Sequence, residues 1–194
     1  MNLKKSILFV FIFLINSCAG SMVTSAIGNA AISEKGFQSS LQDAYIHSVL
    51  KAKITKMNLS NFNNINIHVS QRRVLLLGNV SSNHERLKII ESVWSNGDVL
   101  NVYNEISINT DYTFLDKAKD VFLETKISSR LLLEPQIMTN NYSLQVMKKK
   151  LFIIGISRNI DEKNKLKSVL KEFKDITRIV SFIILKKQPI SQNE

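Results

Sequence analysis

Val74-Leu75-Leu76-Leu77-Gly78 returns 77 residues later as Leu151-Phe152-Ile153-Ile154-Gly155, and that recurrence decides the fold. Each stretch is a short, β-rich apolar run ending in glycine. The same offset carries His84-Glu85-Arg86 onto Asp161-Glu162-Lys163, Val93 onto Leu170, Val99 onto Ile176, Val102 onto Ile179 and Ile106 onto Ile183. One register therefore fits the second half of a repeated unit. Upstream, Lys53-Ile54 lies over Lys126-Ile127 at an offset of 73. The second copy is therefore expected to hold about four extra residues between its first helix and first strand, near Leu133-Glu134-Pro135-Gln136, where proline stops a helix.

Periodicity fills in the rest of the unit. Ile65, Ile67 and Val69 alternate with Asn66 and His68, as Tyr142, Leu144 and Val146 do in the second copy, which is the mark of a half-buried strand. Hairpins are expected at Gln71-Arg72 and Lys148-Lys149. The second helix of the later copy carries Leu166, Val169, Leu170 and Phe173 at i, i+3, i+4 and i+7; the matching stripe in the first copy is read as Leu87, Ile90, Val93 and Trp94. The order is helix, strand, strand, helix, strand, twice over. This predicts an α+β chain of two tandem small units, at 43–110 and 113–186, each with two helices packed on a three-stranded sheet.

Ahead of the units stands Met1-Asn2-Leu3-Lys4-Lys5, then an apolar run from Ile7 to Ile15, then Asn16-Ser17-Cys18. A basic start, a short hydrophobic stretch and small residues before a cut make a signal peptide over 1–17. The run falls short of the roughly 20 residues of an ordinary spanning helix. Leu14-Ile15-Asn16-Ser17-Cys18-Ala19 resembles a lipobox, with an aliphatic residue three places before the cysteine. That resemblance implies lipidation of Cys18 and, with Ala19 rather than Asp next to it, sorting to the outer membrane. A plain secretory signal or an uncleaved anchor is the alternative. Residues 18–42 read as a small, polar tether and 187–194 as a polar tail.

The units themselves resemble BON domains of bacterial envelope proteins. The resemblance rests on Val49-Leu50-Lys51-Ala52-Lys53-Ile54, on Ile65 to Val69, on Val74 to Val80 with its Gly78, and on Val99-Leu100-Asn101-Val102-Tyr103-Asn104-Glu105-Ile106. The second copy keeps Gly155 but has Ser181-Phe182 where the first has Asn104-Glu105. A lipobox followed by two such units is similar to the dual BON-domain outer-membrane lipoproteins of Gram-negative bacteria. It implies periplasmic exposure, binding to anionic phospholipid, a part in outer-membrane integrity, and no catalysis.

Charge points to one candidate surface. The chain of 194 residues carries a formal net charge of +10. Asp43 to Ile108 holds seven Lys/Arg against five Asp/Glu, net +2; Asp116 to Leu185 holds fourteen against eight, net +6. An anionic phospholipid membrane is the expected partner of the second unit, through Lys148, Lys149 and Lys150 at its hairpin, Lys163, Lys167, Lys171 and Lys174 on its second helix, and Arg130 beside Leu131-Leu132-Leu133. The plainer alternative makes these lysines solvated surface and the three leucines core. Gly78 and Gly155 are read as structural, allowing a bulge or close helix packing, and Trp94 as core or partly covered rather than inserted in lipid. The rival function is a protein-interaction adaptor of an envelope assembly that meets lipid only through Cys18. Three scattered histidines and one cysteine offer no catalytic, metal or cofactor site. Nucleic acid is not expected for an exported chain, and the oligomeric state is left open.

Overall fold

In a computed structural model the described residues are 36–57, 65–108 and 111–186. The signal segment, Cys18, most of the tether and the tail lie outside them. The first unit comprises α1 (Phe37–Thr55), β1 (Ile65–Ser70), β2 (Arg73–Val80), α2 (Asn83–Trp94) and β3 (Asn101–Ile108). The second comprises α3 (Phe114–Leu132), a 3-10 turn at Thr139–Asn141, β4 (Tyr142–Met147), β5 (Lys150–Ser157), α4 (Ile160–Leu170) and β6 (Arg178–Leu185). Each sheet places the second strand of its unit at the centre, antiparallel to the strand before it and parallel to the strand after the helix. The α+β order read from the sequence is the order observed.

The expected register of the first helices fails. The offset of 73 for the first helices is overturned, because α1 and α3 are both 19 residues long and begin 77 apart, at Phe37 and Phe114. Asp43, Ile46, Leu50 and Ile54 answer Asp120, Leu123, Ile127 and Leu131, and all eight are buried. The second unit therefore has no insertion, and the match of Lys53-Ile54 to Lys126-Ile127 is a coincidence of two residues. Burial spacing, not identity, sets the register.

The hairpins show why those aspartates recur. Gln71, Arg72, Lys148 and Lys149 all have positive φ, between 53° and 59°, the geometry of a type I′ turn that usually takes Asn-Gly. Neither turn contains glycine. Each is held instead by the first helix of its unit: Asp43 accepts from the amides of Gln71 and Arg72, both at 2.9 Å, and Asp120 from those of Lys148 and Lys149.

The helices of each unit cover one face of its sheet, burying Ile46, Leu50, Ile54, Leu76 and Ile89 in the first, and Ile127, Leu131, Leu151, Ile153 and Leu166 in the second. The stripe assigned to α2 is corrected in phase. Ser82 caps the helix by accepting from the Glu85 amide at 3.2 Å, and from that start it is Ile89 and Val93 that face the sheet. Leu87 and Trp94 point outward, Trp94 being 52% exposed, so it is not core. The two glycines sit in different backbone settings. Gly78 lies at φ 145°, and a Cβ on Gly155 would stand 2.5 Å from the Asn141 carbonyl and 2.6 Å from the Tyr142 ring.

The opposite faces of the two sheets meet. Leu75 and Leu77 pack with Met147, Phe152 and Ile154, and Tyr103 stacks on Phe182 with ring centres 4.1 Å apart. Equivalent positions meet across this junction: His68 Nε2 donates to Gln145 Oε1 at 2.8 Å, and these two residues are 77 apart. The His68 Nδ1 lies 2.7 Å from the Ser143 hydroxyl. Arg73 reaches across from β2 to donate to the carbonyls of Phe182 and Gly155, each at 2.8 Å.

Candidate binding surface

The second unit is distinguished by α3, which is apolar on two sides. Its start is fixed by a capping box, in which Thr113 accepts from the Asp116 amide at 3.1 Å and the Asp116 carboxylate accepts from the Thr113 amide at 3.1 Å. The Thr113 hydroxyl, which donates to the Asp116 carboxylate at 2.7 Å, and then the Thr113 amide hold that carboxyl below the usual carboxylate range. From that start Asp120, Leu123, Ile127 and Leu131 face the core. The far side presents Phe114, Leu115, Val121 and Phe122 at i, i+1, i+7 and i+8, and five turns on, Leu132 and the capping Leu133. All six are exposed, Phe114 at 83%, Phe122 at 71% and Leu133 at 76%. The three-leucine run thus splits, with only Leu131 in the core.

Lysines border this apolar face. Lys119, Lys126 and Lys149 join Leu115, Ala118 and Phe122 around a groove of about 420 Å³, in which Asp175 is the one acidic side chain apart from Asp120. Asp120 is committed to the hairpin and to the Tyr112 hydroxyl at 2.7 Å. On the other flank the Lys117 amine lies 5.7 Å from the centre of the Tyr112 ring. Burial, then the Asp120 carboxylate, keeps that tyrosine protonated well above its ordinary pKa.

The basic residues singled out in the sequence fall into three places. Lys148, Lys149 and Lys150 gather at the β4–β5 hairpin, next to the α3 groove, with the Lys148 amine 5.9 Å from the Tyr112 ring centre. Lys163, Lys167 and Lys171 line a second groove, of about 400 Å³, between α4 and β6; Lys174 follows in the exposed turn beyond α4. Arg130 stands apart. It is tied to Glu134 at 2.6 Å and to Glu172 at 3.2 Å, so its charge is spent within the unit. Counting charge misses the α3 face, whose signal is the pair Phe114-Leu115 recurring as Val121-Phe122, two turns of helix later.

Among the described residues no group of three or more His, Cys, Asp or Glu side chains is placed to hold a metal ion, and no helix is long and apolar enough to cross a membrane. Against known proteins, a BON domain profile matches residues 42–110. The chain is 31% identical over 126 residues to an uncharacterised protein in the gshII 5' region of Anaplasma centrale, a match covering 64% of this chain and 83% of that one. Among solved structures it is similar to CdsD, a structural protein of the type III secretion system of Chlamydia trachomatis, with 12% identity and a TM-score of 0.29 over 74% of this chain. The C-terminal domain of CdsD gives 14% and 0.27 over 70%. The chain spans 63% and 62% of those two, under two thirds of each.

Proposed function

We propose, from the premise that the chain belongs to one family with the Anaplasma centrale protein and carries a BON domain at residues 42–110, that it is a non-enzymatic envelope lipoprotein binding anionic phospholipid. In this reading Cys18 carries the acyl anchor, the protein faces the periplasm from the outer membrane and supports that membrane's integrity, and its second unit, a further BON domain, lies on the lipid surface.

The observation that carries the reading is the outward face of α3, large apolar side chains bordered by lysines. A helix of this kind lies in the plane of an interface, its apolar face among the acyl chains and its lysines at the headgroups. Full burial of each such side chain contributes roughly 1.5–3 kcal/mol, and each lysine near an anionic surface about 1 kcal/mol. The first unit has a smaller apolar face: α1 exposes Leu41 and, at the position of Phe122, Tyr45, but where α3 has Leu115, Val121, Leu132 and Leu133 the equivalent positions hold Gln38, Ala44, Thr55 and Lys56.

The ten helices and strands and the three apolar clusters of the described residues fall within 36–186, so this fragment is the unit to test. It is expected to cosediment with vesicles of phosphatidylglycerol and phosphatidylcholine but not with phosphatidylcholine alone, and to release as salt rises. Val121→Ser with Phe122→Ser, both exposed and so neutral to folding, is expected to weaken retention at least about tenfold. Undiminished binding by that variant overturns the assignment of α3. For the anchor, Cys18→Ala in the full chain is expected to abolish incorporation of labelled palmitate.

A further inference from the structure

The groove between α4 and β6 lies at the opposite edge of the second sheet from β4, over which α3 packs. Three observations bear on it. First, β6 is an edge strand, bonded to β5 on one side only, and its sequence Arg178-Ile-Val-Ser-Phe-Ile-Ile-Leu185 has one charge and no proline. Natural edges are ordinarily blunted by charges, proline or a cover, because an open apolar edge is a template for another strand. The equivalent β3 carries Asn101, Asn104 and Glu105. Second, Lys163, Lys167 and Lys171 follow one another at every fourth position along the groove. Lys163 donates to the β6 carbonyl of Ile183 at 3.3 Å, while Lys167 and Lys171 meet no carboxylate among the described residues. Nearby acids are engaged elsewhere: Glu162 with Arg158, Glu172 with Arg130 and Glu134 with Lys165. Third, the fold does not require this charge, for the first unit has Arg86, Ile90 and Trp94 at these positions.

We propose that this groove receives an extended acidic peptide segment, added beside β6 as a fourth strand. The spacing matches. Lysines four apart on a helix rise about 6 Å from one to the next, and alternate residues of a strand repeat every ~6.6 Å. Carboxylates at every second position of the incoming strand therefore meet the three lysines in register, and its other side chains extend the apolar face of Val180 and Phe182. Main-chain hydrogen bonds to β6 supply affinity and the alternation supplies specificity. A second copy of this chain is disfavoured as occupant by like charge. The inference does not rest on membrane binding by α3.

The probe is the capped peptide Val-Glu-Val-Glu-Ile-Glu-Val, titrated into labelled fragment 36–186. Saturable amide shifts along 178–185 and slowed hydrogen exchange in β6 are the expected result. The control Val-Val-Glu-Glu-Glu-Ile-Val, of equal charge, is expected to bind at least about tenfold more weakly, since its carboxylates fall on both faces of a strand. Lys167→Glu with Lys171→Glu, both exposed, is expected to weaken the alternating peptide by at least about tenfold while leaving shifts elsewhere unchanged. Equal binding of both peptides, shifts confined to α3, self-association through β6 with no peptide bound, or an unaffected double variant each overturns the proposal.

Discussion

Asp43 and Asp120 perform one task at equivalent points, and the cost of losing either follows from the backbone it holds. A residue other than glycine at positive φ is strained by roughly 1–2 kcal/mol, and each hairpin contains two of them. With the aspartate gone, two turn amides lose their acceptor; around Asp120 the Tyr112 hydroxyl loses one as well. We expect Asp120→Ala to lower the unfolding free energy of fragment 36–186 by about 2–4 kcal/mol in urea denaturation. Lys148→Asn with Lys149→Gly, which suits the same turn, is expected to raise it by about 1–2 kcal/mol. A neutral Asp120→Ala would show that the turn geometry is held by the strands alone. Pairs of aspartates 77 apart are visible in the sequence, but a polar residue on a helix gives no sign that it faces inward. Only the turn it anchors explains its burial.

At the scale of elements, α4 is anchored by Glu162. This buried carboxylate accepts from the amides of Met138 and Arg158, both at 2.8 Å, and from the Arg158 guanidinium at 3.0 Å, tying the helix start to the turn before β4 and the end of β5. Burial pushes its pKa up, but the two amides and the guanidinium outweigh that and hold it below the ordinary 4.5. Its contribution is therefore fully present above about pH 4.5 and is lost as pH falls through the lowered folded value. We expect Glu162→Gln to flatten the acid limb of the stability profile, read by thermal unfolding from neutral pH downward; an unchanged limb would assign the acid loss to other carboxylates. Strands and second helices were legible because their apolar periods are short and strong, as in Leu151 to Ile154 or Leu166 and Leu170. The phase of α2 was not. Leu87, Ile89, Ile90, Val93 and Trp94 offer two stripes, and the cap at Ser82 chooses between them. In α3 both faces are apolar, so no periodicity argument separates the side that packs from the side that remains exposed.

For the whole molecule, the repeat predicts two units but not how they meet, since Leu75, Leu77, Phe152 and Ile154 read simply as buried strand. Their outward alternation is what supplies a second face for each sheet, and His68 sits in that junction. Burial lowers its pKa below 6.5, against the hydrogen bond to Gln145, which raises it. His47 of α1, itself pushed down by burial and then by His68, is the neighbouring group that disfavours a second charge. In the unfolded chain an imidazole takes its proton below about pH 6.5, whereas the folded junction resists it. Stability from His68 is therefore whole above about pH 6.5 and is lost as pH falls from there through the lowered folded value, at no more than about 1.4 kcal/mol per pH unit. Because the group bridges Ser143 and Gln145, its charging acts on the contact between sheets rather than on the core of either unit. As pH falls from about 7 to about 5 we expect amide protection, relative to the intrinsic exchange rate at each pH, to fall first at the facing residues of β1 and β4, and only later in Leu76 and Ile153 beneath the helices. His68→Asn is expected to abolish that order of opening and His47→Asn to leave most of it. If His68→Asn loses protection over the same pH range and in the same order, the acid sensitivity lies in other groups and the junction is held by its apolar residues alone.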